Sequence, residues 1–244
     1  MPRPSFDSAR GSDFGGPEQV FDDIWWAWGT TRFGPDAMFP RNMFIIRDGR
    51  DLTVVHPVLL PEAMQARVEA LGRIKNIVRL GDFHGMDDAA YVERYRPTVW
   101  WPQGATDREG VTPGKALKPG GKLPLKNASL FSFEASAAPE VALHLERHGG
   151  VLLTCDSVQC WGTRPPGCNL AGLAMSQQMG MVAPATIGPG WRQMCEPKDA
   201  PGFGPGFRAL LDAFDFDTIL SGHGAPLRGG AKATLAASVT AAYG

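Results

Sequence analysis

The sequence predicts an α/β (α+β) chain folded as a four-layer αβ/βα sandwich: two mixed β-sheets face to face with helices outside. Three observations predict it. Strand-like segments come first as a group and then alternate with helical segments. A second group of strands follows, again ending in β-α alternation, an order that two sheets with outer helices satisfy. No internal repeat of solenoid or propeller length interrupts it. The chain has 244 residues, 43% hydrophobic and 20% charged, enough to bury a sizeable core.

Residues 1–20 are rich in Gly, Pro and Ser and read as a flexible N-terminal tail ahead of a single domain over 21–244. DIWWAWGT (23–30) is aromatic and apolar and reads as a strand. NMFIIRD (42–48) and DLTVVHPV (51–58) read as a hairpin with Asp48-Gly49 in its connection. PEAMQARVEALG (61–72) reads as a helix started by Pro61 and stopped by Gly72. NIVRL (76–80) is a short strand, DDAAYVERY (87–95) a helix and TVWW (98–101) a strand. Residues 102–127, with Lys115, Lys118, Lys122 and Lys126, read as a loop or loose hairpin with a solvated basic face. ASLFSFEA (128–135), EVALHLE (140–146) and GVLLTCD (150–156) read as strands, the last ending in an acid. Residues 157–205 hold seven prolines and eight glycines, which predicts a mostly irregular insertion with a helix near 170–180. A helix (207–215), a strand (218–220), a turn (221–227) and a closing Ala-rich helix (231–244) complete the chain.

The formal net charge of −1 gives no reason to expect nucleic acid or an anionic membrane as a partner. No apolar run reaches the length of a bilayer span. The N-terminus lacks the apolar core of a secretory signal, so the expected compartment is the cytoplasm. The four cysteines, Cys155, Cys160, Cys168 and Cys195, show no Cys-x-x-Cys pair and read as reduced thiols. Cys155 beside Asp156 is a poor nucleophile, because a neighbouring carboxylate disfavours the thiolate.

Three segments place polar residues just after buried strands, where sites commonly form. They bring His84, Asp87 and Asp88 after one strand, Asp156 after a second and His223 after a third. Each residue alone has a plain structural role: a loop histidine, helix caps, a turn residue. Taken together, imidazoles and carboxylates from three strand ends could converge on one divalent ion.

With these residues in place, the chain resembles the metallo-β-lactamase superfamily over roughly residues 24–242. VLLTCDS (151–157) is similar to the family's strand ending in a bridging Asp, with Cys155 where Gly is usual. ILSGHGAPL (219–227) is similar to the turn that carries its last His. FIIRDGRDLTVVHPV (44–58) is similar to the entry hairpin, with His56-Pro57 where the family often has Asp-Pro. The His-x-His-x-Asp-His loop corresponds to His84-Gly85-Met86-Asp87-Asp88-Ala89, so the second and final histidines are absent. The third His position falls near Ser136, also without a histidine.

The resemblance implies a metal-dependent hydrolase with a reduced, single-ion site of His84, Asp88, Asp156 and His223. The ion would be zinc first, with iron or manganese as alternatives, and Asp88 or Asp156 would orient a water or carry its proton. The implied substrate is a small molecule: an ester, thioester, amide or phosphoester. The other reading is a non-catalytic domain that lost the dinuclear site and serves as a binding module. A homodimer is compatible with either. Trp161 and Trp191 could form an apolar lid, although packing into the body is the commoner role of such residues.

Overall fold

The computed structural model describes residues 10–106, 110–112, 114–198 and 201–244. The first sheet has seven strands in sequence order: β1 (Arg10–Phe21), β2 (Ile24–Phe33), β3 (Ala37–Asp48), β4 (Asp51–Val55), β5 (Arg73–Val78), β6 (Thr98–Pro102) and β7 (Lys115–Leu117). Neighbours are antiparallel up to β4 and parallel from β4 to β7. Helices α1 (Glu62–Glu69) and α2 (Asp88–Tyr95) make the crossovers.

The second sheet is built from β8 (Ala128–Ser132), β9 (Val141–Leu145), β10 (Val151–Thr154), β13 (Thr218–Ser221) and β14 (Leu227–Arg228), in the order β14-β13-β10-β9-β8. Between β10 and β13 lie a small pair, β11 (Val158–Gln159) and β12 (Thr186–Ile187), and three helices. These are α3 (Leu170–Gln178), α4 (Pro189–Cys195) and α5 (Gly204–Ala213), and α6 (Ala231–Tyr243) closes the chain. The expected sandwich is therefore the observed fold.

The two-residue period of the strands assigns the layers. In β3, Phe44 and Ile46 face the core between the sheets, while Met43 and Ile45 face the layer of α1 and α2. In β10, Val151 and Leu153 join the inter-sheet core and Leu152 packs towards Phe207, Leu210 and Leu235 of α5 and α6. Fully burying one such side chain contributes about 1.5–3 kcal/mol, so three such cores offset much of the entropy of ordering the chain.

Three readings change. Residues 10–20 are not a tail but most of β1, while residues 1–9 of the expected tail lie outside the described residues. The glycines there serve close packing: a Cβ on Gly15 would stand 2.2 Å from Trp28 Nε1. The basic loop contains β7, and Lys115 Nζ lies 5.0 Å from the centroid of the Trp100 ring. Trp161 and Trp191 form no lid, being 1% and 2% exposed. Trp191 stacks on Phe203 at 4.1 Å, inside the core of the second sheet's helices. The expected helix in the Pro/Gly-rich stretch is present as α3, with Asn169 capping it by accepting from the Gly172 N–H at 2.8 Å.

Glu196 ties this stretch to the body. Its carboxylate accepts from Phe203 N at 3.0 Å, Tyr243 Oη at 2.7 Å and Arg192 Nε at 2.8 Å. Burial alone would raise its pKa, but these hydrogen bonds outweigh burial and hold it below the usual 4.5. Its stabilisation is thus present above pH 4.5 and is lost as pH falls through the lower folded value. Glu196→Ala is expected to cost about 1.5–3 kcal/mol at neutral pH. Urea unfolding at neutral and strongly acidic pH checks this, since the difference from the unsubstituted protein should shrink in acid.

Candidate metal centre

The parallel pairing of β10 with β13 builds the site. Thr154 is in register with Ser221, so the residues two places further on, Asp156 and His223, emerge at the same sheet edge. His223 Nε2 lies 3.0 Å from Asp156 Oδ1. His84 arrives from the other sheet, on the loop after β5. Its Nε2 is 3.2 Å from His223 Nε2 and 3.6 Å from Asp156 Oδ1. All three side chains are only 12–15% exposed. Gly222 makes room for this approach, since a Cβ there would stand 2.9 Å from His84 Cε1.

Asn42 of β3 and Arg79, just after β5, hold the two histidine-bearing loops. Asn42 donates its Nδ2 to Ser221 O at 2.8 Å and to Gly224 O at 2.9 Å, and its backbone N–H to Gly222 O at 2.8 Å. Trp26 Nε1 in turn donates to Asn42 Oδ1 at 2.9 Å. Buried Arg79 donates to His84 O at 2.8 Å while its guanidinium stacks 3.6 Å from the Trp101 ring centroid. Arg41 pairs with fully buried Asp87 at 2.5 Å, and Asp87 also accepts from Leu59 N at 2.8 Å.

The tautomers follow from the acceptors. His223 Nδ1 lies 2.8 Å from Pro40 O, which can only accept, so Nδ1 carries a proton. A neutral His223 ring therefore aims the lone pair of Nε2 at the Asp156 carboxylate. Two lone pairs face to face repel unless a cation, either a proton or a metal ion, lies between them. A ring nitrogen donating to a backbone carbonyl while its opposite nitrogen points into a site is the usual posture of a metal-binding histidine. The donor set thus fits a divalent ion.

The charges agree. Burial opposes ionisation of Asp156, but His84 and His223 outweigh it and hold the carboxyl well below its usual range. Burial would lower the pKa of His223, yet the hydrogen bond and charge of Asp156 raise it above 6.5. Cys155 is fully buried, and burial together with the charges of Asp156 and Glu140 pushes its thiol well up, which removes it as a nucleophile. All four cysteines are free thiols.

The structure brings together His84, Asp156 and His223 but not Asp88. Among the described residues, no group of ligand atoms lying within 4.8 Å of one another contains Asp88. Asp88 opens α2 with its carboxyl turned to Arg79 and Trp101. Burial there, partly offset by the Arg79 charge, raises its pKa to about 6. Asp87 precedes that helix without a side-chain capping bond, because its carboxylate is used by Arg41 and Leu59. Met86 lines the cavity and Ala89 is exposed on α2, so neither supplies a ligand in place of the missing histidines.

Two residues that sequence reasoning passed over belong to the same region. Glu140 is buried, accepts a short hydrogen bond from Ser157 N, and has a ligand atom within 4.8 Å of those of Cys155 and Asp156. Burial and the Asp156 charge push its pKa well above 4.5, favouring the protonated acid. His56 follows β4 and its ring lies 4.6 Å from that of His84. The only signal in the sequence was the His-Pro dipeptide in place of Asp-Pro.

A cavity of about 280 Å³ opens over His84, Asp156 and His223. Phe33 and Phe83, 51% and 37% exposed, make its mouth apolar.

No protein-family model and no curated protein matches the chain. Solved structures do. The chain is similar to the crystal structure of VMB-1 at pH 5.5, with 11% identity, 93% of this chain and 97% of that chain covered, and a TM-score of 0.63. A metallo-β-lactamase from Erythrobacter litoralis with β-mercaptoethanol in its active site gives 15% identity, 92% and 95% coverage, and a TM-score of 0.62. The metallo-β-lactamase FIM-1 from Pseudomonas aeruginosa in its mono-zinc form gives 13% identity, 92% and 94% coverage, and a TM-score of 0.60. The chain has the metallo-β-lactamase fold.

Proposed function

We propose that the protein is a metal-dependent hydrolase with a single divalent ion, zinc first, held by His84, Asp156 and His223. One observation carries the reading. The Nε2 atoms of His84 and His223 and the Oδ1 of Asp156 converge within 3.6 Å, with the His223 tautomer fixed by Pro40 so that its lone pair points inward.

A divalent ion bound there supplies acidified water and polarises a carbonyl or phosphoryl oxygen. The chain's own residues do the rest. Asp156, kept ionised by its histidines, orients a water molecule by accepting a hydrogen bond from it. Asn42 and Arg79 fix the loops that carry His223 and His84, so little reorganisation accompanies binding. Phe33 and Phe83 at the mouth favour a substrate with an apolar group beside the scissile ester, thioester, amide or phosphoester bond.

Elemental analysis of protein purified without a metal-affinity tag tests the proposal, with His223→Ala alongside. The expected result is close to one zinc, iron or manganese per chain, absent from the variant, followed by turnover in a panel of the four substrate classes. Protein that takes up no metal after incubation with zinc or manganese would overturn it and point to the binding-module reading, which the missing histidines at Met86, Ala89 and Ser136 favour.

A further inference from the structure

We infer that His56, at the end of β4, is a ligand of the same ion and makes the centre a three-histidine, one-aspartate site. This rests on the reading of the site as an ion centre.

Three observations independent of His223 and Asp156 lead there. His56 is among the residues that line the cavity over the site, and it is 4% exposed. Neither of its ring nitrogens has a hydrogen-bond partner. A buried imidazole without partners has lost its hydration for no return, so its presence asks for a ligand. Its backbone is also in the left-handed region, at φ 54°, a costly conformation for a residue with a Cβ. A hydrogen bond from His56 N to Val78 O at 2.8 Å fixes that conformation, joining β4 to the strand that leads to His84.

The chemistry matches what the centre lacks. His56 and His84 stand edge to face, and each offers a ligand atom within 4.8 Å of the other and of Cys155 Sγ. His84 also belongs to the group with Asp156 and His223, whose ligand atoms lie within 4.8 Å of one another. The two groups share His84, and closing them on one ion gathers imidazoles from the ends of β4, β5 and β13. A third imidazole from β4 would thus stand in for those absent at Met86, Ala89 and Ser136.

The test uses cobalt(II) added to the metal-free protein, reading affinity and visible bands in the unsubstituted chain, His56→Gln and His223→Gln. The expected result is intense four-coordinate bands in the unsubstituted chain. His56→Gln should weaken binding by more than about 100-fold, beyond what partners outside the coordination sphere cost, and weaken the bands. His56→Gln with unchanged affinity and spectrum, while His223→Gln loses cobalt, would overturn the inference and leave the ion centre standing. No cobalt uptake by the unsubstituted chain would overturn both.

Imidazole ¹⁵N spectra of the unsubstituted protein titrated with zinc give the answer without relying on a variant that folds. Of the five histidines, His144 and His148 have their Nε2 atoms engaged by Asp215 O and Asp23 and serve as references. Three remaining signals moving with zinc is the expected result, and only two moving would overturn the assignment of His56.

Discussion

Arg41→Met is expected to lower the free energy of unfolding by about 3–5 kcal/mol, the usual cost of leaving a buried charge without its counter-ion. Asp87 is fully buried and lies 2.5 Å from the Arg41 guanidinium. Without it the carboxylate keeps the Leu59 N–H at 2.8 Å but loses the cation that offsets its desolvation. The double variant Arg41→Met/Asp87→Asn is expected to recover most of the loss, because the amide still accepts from Leu59 and carries no charge. Urea midpoints at an unchanged m value check both. A single-variant cost below about 1 kcal/mol would place the pair in the class of weak surface bridges. The pair also matters to the site. Arg41 precedes Asn42, which holds the His223 turn, and Asp87 ends the loop that presents His84. Breaking this strut should loosen both histidines, so ion affinity is expected to fall with stability.

The same region shows what a sequence can and cannot disclose. VLLTCD and ILSGHG were legible because each is a short buried run followed by a polar residue, and parallel pairing in register carries their offsets into space. Asp156 and His223 meet for that reason. His84 was legible from its place after a strand. Asp88 was assigned by its place after the same strand and by motif spacing, and neither says anything of the buried Arg79 that its carboxyl faces. His56 escaped notice because its meaning depends on β4 lying beside β5, a pairing that only the fold reveals. The glycines of β1 misled for a related reason: composition cannot distinguish a loose tail from a strand that presses against Trp28. Hydrophobic periodicity fixes the layers well, but contacts between distant segments decide which polar residues become a site.

Asp156→Asn is expected to abolish stabilisation by zinc while leaving the fold intact. An ion bound by the folded state alone stabilises by mass action, about 2.7 kcal/mol at a free concentration of about 100 times Kd. Asp156 is the anionic member of the group with His84 and His223, and the isosteric amide removes the charge that compensates a buried dication. Two opposite pH slopes make the test sharp. In the metal-free protein the pKa of His223 is raised above 6.5, so its ion pair with Asp156 stabilises fully below pH 6.5 and is lost as pH rises through the folded value. Asp156 is depressed below 3.8, so its contribution is present above pH 3.8 and is lost as pH falls through the folded value. Metal-free stability from this pair should therefore decline as pH climbs past 6.5. The gain from zinc should grow over the same interval, because imidazoles must shed their protons to bind it. Thermal unfolding with zinc and with chelator, across about pH 6 to 8, reads both slopes. In Asp156→Asn both should flatten, since the amide neither raises His223 nor balances the ion. A variant that keeps the full zinc gain would remove Asp156 from the ligand set. One that keeps only the metal-free slope would trace that slope to a histidine other than His223.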